Sequence, residues 1–517
     1  MANTQLFASL RGLWAPSADV RNEEGAPAYA RSPEQALALF AATGCLNGTF
    51  YASAETQFGT VMKLCDRVSP DFVARTAVYA RQVGHMKDMP ALLLATLASR
   101  DAVLLARAFP HVVDNARMLR NFVQVIRSGR TGRKSLGTLP KRLVREWIDR
   151  ASAEQLVQAA VGNNPSLADV IRMVHPKPDD ATRAALYAWI IGKPFDENAL
   201  PPKVRAYEAF KREPHAALPE VPFQYLTSLK LDAAHWKTLA RKVSWQTLRM
   251  SLNTFARNGV FNEDAEMVTA VAARLRSKSE IERARVFPYQ LLAAWHAGIA
   301  LPGEIQLAMQ DAMEIATRNV PAIDGRVVVA VDVSGSMSSP ITGYRKGSTS
   351  SMRCVDVAAL IAACLQRTNP TARVLPFDHI VRRVALNPRD SVMTQATRLA
   401  SLGGGGTAVS APLLKLNSDR AEVDLLVIVS DNESWFDARR GGPTEAMRQW
   451  SILKARCPKA KLVCIDLQPY MTSQLVERDD IVHVGGFSDA VFDLLAVYAA
   501  EGAGAARWID RIASIDL

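Results

Sequence analysis

The chain has 517 residues, too many for one hydrophobic core, so we expect two or more domains. Its hydrophobic content of 49% and charged content of 22% are ordinary for a globular protein. No apolar stretch approaches the length of a membrane span, and the first residues show no signal-peptide pattern. These features argue against a membrane protein, and we expect a soluble, cytoplasmic chain without a membrane partner.

The net charge of +11 is unevenly distributed, whereas the six cysteines are scattered and form no Cys-x-x-Cys pair. The cysteine spacing argues for reduced thiols and against a disulfide framework or a zinc site. Residues 322–517 contain 22 basic and 21 acidic residues, and residues 1–321 contain 40 and 30. The N-terminal part therefore carries most of the positive charge, which makes it the candidate for binding nucleic acid.

The N-terminal part is predicted to be all-α. We predict a flexible arm over residues 1–24, and helical patterns dominate after Ser32, an N-cap before Pro33. Further predicted helices are Asp71–Val83, Met89–Leu105 and Leu291–Ala300. The helix spacing predicts about six or seven HEAT-like repeats over residues 25–320, whose concave face would be a binding surface.

A cluster of basic residues occupies residues 117–145, where no residue is acidic. Its nine cations are candidates for RNA contact: Arg117, Arg120, Arg127, Arg130, Arg133, Lys134, Lys141, Arg142 and Arg145. Such side chains bind phosphates, and Phe122 is the one aromatic residue among them, which favours contact with folded RNA over base stacking. The alternative is a solvated face whose charges pair with acidic residues elsewhere in the fold.

A second group of cations consists of Arg172, His175 and Lys177, at a helix end that Pro176 and Pro178 terminate. These residues are further candidates for RNA contact. Equally, they could complement the negative C-terminal end of the helix dipole. The sequence leaves both interpretations open.

The pattern changes near residues 321–325, where we place the start of a second domain, residues 321–517. Strand patterns at 326–332, 373–377, 424–430 and 461–466 alternate with helical patterns at 354–366, 391–400, 443–456 and 489–500. This alternation predicts a doubly wound α/β domain with a parallel sheet. The predicted fold is therefore a two-domain chain: an all-α HEAT-like repeat module followed by an α/β domain.

Oxygen-bearing side chains follow two strands of the predicted sheet. The apolar run 327–331 ends in Asp332, Ser334 and Ser336, at the strand end where open α/β sheets bind ligands. The run 425–430 ends in Asp431, and the glycine loop 403–406 delivers Thr407. Carboxylates and hydroxyls suit Mg²⁺, Mn²⁺ or Ca²⁺ and do not suit zinc. The five residues resemble the metal-ion-dependent adhesion site (MIDAS) of von Willebrand factor A domains, and we expect a divalent metal, with Mg²⁺ first.

Eight short motifs occur in a defined order along the chain: Gly25-Ala-Pro-Ala-Tyr29, Gly48-Thr-Phe-Tyr51, Lys141-Arg-Leu-Val-Arg-Glu-Trp147, Ser166-Leu-Ala-Asp-Val-Ile-Arg-Met-Val-His-Pro-Lys-Pro178, Leu248-Arg-Met-Ser-Leu-Asn253, Ala284-Arg-Val-Phe-Pro-Tyr289, Ala330–Ser336 and Ser430–Ser434. In this order they resemble the Ro autoantigen family, RNA-binding proteins with a TROVE module and a von Willebrand factor A domain. The resemblance covers residues 25–500 and suggests a bacterial member.

The resemblance implies a ring of helical repeats, the TROVE module of residues 25–320, closed by the A domain of residues 321–517. It implies that small structured Y-like RNAs bind a basic outer face and that single-stranded RNA ends enter the central hole. It further implies a role in noncoding RNA quality control, with an exoribonuclease or another protein as partner of the A domain. We expect a monomer.

This chain departs from the family pattern at two places. The family's basic strip corresponds here to Gln158–Pro165, which contains no Lys or Arg, and Leu167 stands where the family has a His. A later family His is also absent, because Phe287 and Tyr289 flank Pro288. The residues from Arg127 to Arg145 would therefore have to contribute more of the RNA affinity.

Two other function classes have partial support in the sequence. One is a protein scaffold whose A domain recruits a partner and whose basic half binds little RNA; a steep salt dependence of RNA binding would exclude it. The other is a metal-dependent hydrolase, for which His379, His483 and Glu433 would be the candidates. No catalytic cluster accompanies the metal residues, and the glycine loop lacks the Lys-Ser/Thr of a nucleotide-binding loop. We therefore predict a non-enzymatic RNA-binding protein.

Overall fold

A computed structural model describes residues 15–43, 46–162, 165–213, 217–284, 286, 288–298, 300–318, 320–344, 352–434, 442–488, 490–501 and 508–517. Its contacts group the chain into two compact units. Unit 1 comprises Met1–Val68, Ile281–Ala297 and Met309–Ile515, and unit 2 comprises Ser69–Glu280, Gly298–Ala308 and Asp516–Leu517. The predicted domain boundaries at residues 25 and 321 stay a prediction, and the contacts place the first part of the chain with the C-terminal strands.

The chain up to residue 317 is mostly helical, as predicted. Its α-helices are α1 Pro33–Thr43, α2 Ala54–Arg67, α3 Pro70–Gln82, α4 Asp88–Arg100, α5 Ala102–Val112, α6 Ala116–Arg127, α7 Thr138–Arg150, α8 Ala153–Ala159, α9 Leu167–Val174, α10 Ala181–Ile191, α11 Pro202–Arg212, α12 Phe223–Thr227, α13 Ala233–Lys242, α14 Trp245–Arg257, α15 Ala265–Leu275, α16 Lys278–Ala284, α17 Pro288–Ala297 and α18 Gly303–Thr317. A 3₁₀ turn, Glu197–Ala199, follows α10.

The single helix predicted over Met89–Leu105 is wrong, because the chain forms α4 and α5 there. Asp101 separates the two helices with an extended backbone, φ −152° and ψ 105°. Its carboxylate accepts hydrogen bonds from the backbone N–H groups of Val103 and Leu104, both at 2.9 Å. A side-chain N-cap of this kind begins a new helix, and it was not recognised in the sequence.

Helix α6 shows why the basic segment folds as it does. Leu119, Phe122, Val123 and Ile126 are all fully buried, at the three- and four-residue spacing of one helical face. The Phe122 ring packs edge-on against Phe109, with ring centroids 5.3 Å apart. The apolar face anchors the helix in unit 2, so its arginines are left on the other side.

Unit 1 contains a five-stranded parallel sheet. The remaining elements are strands β1 Val20–Arg21, β2 Pro27–Ala30, β3 Val327–Asp332, β4 Arg373–Phe377, β5 Leu425–Ser430, β6 Lys461–Asp466, β7 Thr472–Ser473 and β8 Ile481–Gly485, a 3₁₀ turn at Ser336–Ser338, and helices α19 Cys354–Thr368, α20 Val392–Ala400, α21 Ala411–Ser418, α22 Glu445–Arg456, α23 Ala490–Glu501 and α24 Trp508–Ala513. The sheet order is β4-β3-β5-β6-β8, and every neighbouring pair is parallel. The predicted α/β fold is confirmed, although β8, α21 and α24 were not predicted.

The predicted N-terminal arm is only partly tested. Residues 1–14 lie outside the described residues, but β1 pairs with β2, and Tyr29 and Ala30 of β2 pair with Ser473 and Thr472 of β7. The expectation of a flexible arm over residues 1–24 therefore fails for residues 20–21. Arg285, Phe287, Ile299 and Asp489, as well as residues 163–164, which fall within predicted motifs or helices, also lie outside the described residues.

A buried ion-pair network joins the strand ends of unit 1. The Asp466 carboxylate accepts hydrogen bonds from Arg31 Nη2 at 2.9 Å and Asn432 Nδ2 at 2.9 Å, and His483 Nδ1 lies 3.1 Å away. Burial opposes ionisation of Asp466, but the charge of Arg31 and the hydrogen bond with His483 overcome it and hold the pKa of Asp466 below its usual value. The network ties β2, β6, β8 and the loop after β5 together.

We expect Asp466→Asn to destabilise the protein by about 3–5 kcal/mol, because Arg31 would be left buried without a counter-charge. The measurement is thermal or urea unfolding at neutral pH. Asp419→Asn is the matched control: Asp419 pairs with Lys415 and Arg373 on the surface, so its loss should cost about 0–1 kcal/mol. Equal effects of the two substitutions would contradict the structural role of Asp466.

Candidate metal site and basic surface

The two predicted metal carboxylates come from adjacent strands. β3 ends at Asp332, and β5, its parallel neighbour, ends one residue before Asp431. Carboxyl ends of parallel strands meet at one edge of the sheet, so both side chains lie at that edge. Asp332 and Asp431 are 0% and 1% exposed.

Hydrogen bonds fix the orientation of Asp332. One carboxylate oxygen accepts from the Ser334 N–H at 2.9 Å, and the other accepts from the Ser430 hydroxyl at 2.6 Å. The hydroxyls of Ser334 and Ser336 lie 3.3 Å apart, and both residues are buried. The structure therefore brings the Asp-x-Ser-x-Ser side chains into one small cluster.

The glycine loop supplies Thr407 to the same edge. The Gly335 N–H donates to the Gly405 carbonyl at 3.0 Å, and the Gly404 N–H donates to the Val333 carbonyl at 3.1 Å. A Cβ on Gly405 would lie 2.3 Å from an Asp378 carboxylate oxygen, so only glycine allows this close approach. Thr407 itself is buried, and its carbonyl accepts a hydrogen bond from Ser434.

The cluster is electrostatically unfavourable without a cation. Burial raises the pKa of Asp332, and burial together with the nearby charge of Asp332 raises the pKa of Asp431. Glu433 is also buried, and burial together with Asp431 raises its pKa to about 9, so it is protonated at neutral pH. Two buried carboxylates that oppose each other favour either proton uptake or a bound cation.

The donor set fits a divalent cation. Asp431 Oδ2 is buried and accepts no hydrogen bond within the described residues, so one carboxylate oxygen is free to bind a cation. Two carboxylates and three hydroxyls are hard oxygen ligands of the kind that Mg²⁺ and Ca²⁺ prefer. Asp332, Ser334, Ser336, Thr407 and Asp431 remain the predicted ligands.

Sequence reasoning missed three residues beside this cluster. Asn22 and Glu23 hydrogen-bond to the loop 431–434, and burial together with the charge of Asp431 raises the pKa of Tyr51. Tyr51 belongs to a motif that was used for the family resemblance, but nothing in its sequence indicated a place at the metal cluster. The N-terminal segment pairs with residues more than 400 positions away, and no local pattern reports such contacts.

The basic segment forms a cavity on unit 2. The cavity has a volume of about 760 Å³ and lies between the end of α6 and the start of α7. Its lining contains five cations and no acidic residue: Arg127, Lys134, Lys141, Arg142 and Arg145. The lining also includes Ser135, Gly137 and Thr138 at the N-terminus of α7, where the helix dipole adds positive potential.

The nine predicted cations differ in what they contact. Arg142 has an acidic partner, Glu146, at 3.6 Å. Arg133 donates to the Ala98 carbonyl, and Arg145 donates twice to the Val174 carbonyl, at 2.9 and 2.7 Å, so both also stabilise the fold. Arg117, Arg127, Arg130 and Lys134 are exposed, and Lys141 is half-buried.

Arg120 is held in an unusual position. Its guanidinium lies against Gly162, where a Cβ would come within 2.3 Å of Nη1. Nε and Nη1 are buried and have no hydrogen-bond partner in the part of the chain that the structure describes. Burial and the nearby Arg117 lower the pKa of Arg120, as expected for neighbouring cations without a counter-anion.

The second group of cations is exposed. Arg172 donates to the Ile191 carbonyl at 2.5 Å and lies 3.5 Å from Asp169. His175 ends α9 in a left-handed conformation, φ 52°, and its N–H donates to the Ile171 carbonyl at 2.9 Å. Lys177 is exposed as well. This geometry fits a role of Arg172 and His175 in complementing the C-terminal end of α9 at least as well as it fits RNA contact.

The fold and the two sites define a class of protein: a helical-repeat protein that carries an α/β domain of the von Willebrand factor A type. Residues 326–499 match the family model of the Ro60 vWA domain. The chain is 28% identical over 522 residues to the RNA-binding protein RO60 of Deinococcus radiodurans, covering 93% of this chain and 95% of that protein. It is 24% identical over 274 residues to the RNA-binding protein RO60 of Caenorhabditis elegans, covering 49% and 41%.

A solved structure has a similar fold. The crystal structure of the Deinococcus radiodurans RO (RSR) protein matches with a TM-score of 0.62 at 23% identity, covering 90% of this chain and 99% of that chain. The resemblance drawn from the motifs is confirmed: residues 326–499 match the Ro60 vWA domain model, and the chain is similar to an RO60 protein over 93% of its length. No helix in the described ranges is long and apolar enough to span a membrane.

We expect Asp431→Asn to raise the melting temperature of the metal-free protein at pH 8. The amide removes one of two opposed buried charges, which should stabilise the fold by about 1–3 kcal/mol. The measurement is thermal unfolding in EDTA, with Asp424→Asn as control, because Asp424 is paired with Arg326 at the opposite end of β5. A lower melting temperature for Asp431→Asn would contradict the repulsion inferred here.

Proposed function

We propose that this protein binds RNA through the basic cavity of unit 2, which recognises folded noncoding RNA, and that it acts in noncoding RNA quality control. The proposal is based on the cavity between α6 and α7, which is lined by five basic side chains and by no acidic side chain. Two proteins similar in sequence to this chain are named RNA-binding proteins, which supports RNA as the ligand.

The cavity suits phosphates better than bases. Guanidinium and ammonium groups neutralise backbone phosphates without reading sequence. The aromatic residue of the segment, Phe122, is fully buried and cannot stack on a base. RNA would therefore be recognised by shape and charge, as expected for a Y-like structured RNA, while single-stranded ends of misfolded RNA would need a separate surface.

We expect the triple substitution Arg127→Gln, Lys134→Gln and Lys141→Gln to weaken RNA binding by about tenfold or more at low salt, because all three cations line the cavity. Each lost phosphate contact also reduces the slope of log affinity against log salt by about 0.7–0.9, so the slope should fall by about 2–3 for the three substitutions. The measurement is a fluorescence anisotropy titration with a structured RNA that carries a single-stranded 3′ tail, at two salt concentrations.

A second triple variant matches the change in charge. Lys203→Gln, Lys211→Gln and Arg241→Gln remove three exposed cations of unit 2 that already pair with acidic residues at 2.7, 2.7 and 2.8 Å. This control should bind RNA nearly as well as the wild type. If both variants lose affinity equally, net charge and not the cavity determines binding, and the proposed location is wrong.

We also propose that the cluster in unit 1 holds a divalent cation, Mg²⁺ first, and docks a partner protein, for which the family resemblance implies an exoribonuclease. Asp332, Ser334, Ser336, Thr407 and Asp431 would hold the cation. When bound, the cation would supply a positive charge with an open coordination position for an acidic group. Ser430 and the Ser334 N–H orient Asp332, and the glycine loop orients Thr407.

We expect millimolar Mg²⁺ or Mn²⁺ to raise the melting temperature of the wild type. A ligand at a hundred times its dissociation constant stabilises the folded state by about 2.7 kcal/mol. Asp332→Asn should abolish the shift, whereas the surface control Asp424→Asn should retain it. An equal shift in Asp332→Asn would show that the stabilising cation binds elsewhere.

The alternative is a scaffold that recruits proteins and binds little RNA. The observation in its favour is that Arg133 and Arg145 are already engaged with backbone carbonyls of unit 2. Weak RNA binding that neither salt nor the cavity variant changes would favour this alternative.

A further inference from the structure

A second cavity, in unit 1, opens directly beside the metal cluster. This side cavity has a volume of about 590 Å³, and one wall consists of Ser334 and Gly335 after β3 together with Gly403 and Gly404 of the glycine loop. Ser334 is one of the five predicted cation ligands, so the cluster and the side cavity share this wall. The Gly404 N–H donates to the Val333 carbonyl at 3.1 Å and fixes the wall in place.

The rest of the side cavity is mainly apolar. Four buried side chains from α17, α19 and α20 contribute to its lining: Leu292, Val355, Ala396 and Ala400. Three exposed residues with hydroxyl groups also line it: Ser338, Thr397 and Ser401. A group that entered the side cavity would therefore contact mostly alkyl carbon, with hydroxyls at the exposed positions.

The charges in the lining compensate each other. The charged side chains among the described lining residues are Arg353 and Asp356, at the start of α19. Arg353 Nη2 donates to Asp356 Oδ1 at 2.6 Å, and Arg353 Nε donates to Asp356 Oδ2 at 3.1 Å. A bidentate pair of this kind leaves no uncompensated cation for a phosphate. None of the described lining residues is aromatic, so a nucleobase would find no ring to stack on.

We propose that the side cavity is a specificity pocket of the metal site and binds an apolar side chain of the partner protein. The partner would present an acidic residue to the cation beside Ser334 and an apolar residue, next to the acidic one in its sequence, to the side cavity. The proposal rests on the proposed function, because the acidic residue is held by the cation.

The physical basis is the combination of two neighbouring contacts. Neighbouring residues of a peptide have Cα atoms 3.8 Å apart, so one short segment can reach both the cluster and a cavity that shares its wall. A cation alone would accept any accessible carboxylate, whereas the side cavity rewards a carboxylate that has an apolar neighbour. Burial of a leucine side chain is worth roughly tenfold to a hundredfold in affinity.

The experiment uses the full chain loaded with Mn²⁺ and two fluorescent peptide probes of equal length. Both peptides consist of Gly and Ser around one central Asp, and in one of them Leu replaces Gly on each side of the Asp. Mn²⁺ affinity is measured first by calorimetric titration, and peptide affinity is then measured by fluorescence anisotropy. The wild type should bind the leucine peptide about tenfold or more tightly than the glycine peptide.

A pair of tryptophan substitutions on α20 tests whether the side cavity causes this preference. Thr397→Trp places an indole ring at the side cavity, so the preference for the leucine peptide should fall to about twofold or less. Affinity for Mn²⁺ and for the glycine peptide should stay unchanged. Thr394→Trp is the matched control, because Thr394 is exposed on the same helix and does not line the side cavity, and it should keep the full preference. Thermal unfolding confirms that both variants are folded.

The outcomes separate this inference from the metal proposal. Normal Mn²⁺ binding without a preference for the leucine peptide, or a preference that Thr397→Trp retains, would overturn the inference alone. A short single-stranded oligouridine serves as the competing probe: binding that Thr397→Trp abolishes, in a wild type without leucine preference, would assign the side cavity to RNA and overturn the inference. Absence of Mn²⁺ binding in the wild type would overturn the metal proposal and this inference with it.

Discussion

Two buried carboxylates, Asp332 and Asp431, impose the main constraint on unit 1. Their strands must be neighbours, and the loops after both strands must provide hydrogen-bond donors, because burial of ionised groups is otherwise too costly. Hydrogen bonds satisfy Asp332, but one oxygen of Asp431 has no partner within the described residues. The glycine loop and residues 22–23, which hydrogen-bond to the loop after β5, lie beside this incomplete arrangement, and the unpartnered oxygen supports the cation site proposed above.

In unit 2, the main feature is a group of basic side chains around one cavity. Its helices bury an apolar face, as α6 does through Leu119, Phe122 and Ile126, and they leave the cations of the other face around the cavity. Arg120, on the same helix α6, has two buried guanidinium nitrogens that lack a hydrogen-bond partner in the described part of the chain. A polyanion would neutralise this surface, whereas single acidic side chains of unit 2 do not line it.

The sequence predicted what depends on short-range patterns. The apolar runs before Asp332 and Asp431 predicted β3 and β5 nearly to the residue, and the α/β alternation predicted that their sheet is parallel. Contacts between distant segments could not be predicted: Asn22 with Ser434, and Arg31 with Asp466, are each more than 400 positions apart. The prediction of one continuous helix across Asp101 failed for a different reason. The apolar periodicity continues through this position, but the Asp101 side chain caps a new helix there.

Crosslinking is the most direct test of the central claim that RNA binds the basic cavity of unit 2. The protein is irradiated with a 4-thiouridine-containing structured RNA, and the crosslinked peptides are identified by mass spectrometry. The account predicts crosslinks in peptides from Ala116–Arg127 and Thr138–Arg150 that disappear at high salt. Crosslinks confined to other parts of the chain, with these two helices unmodified, would contradict it.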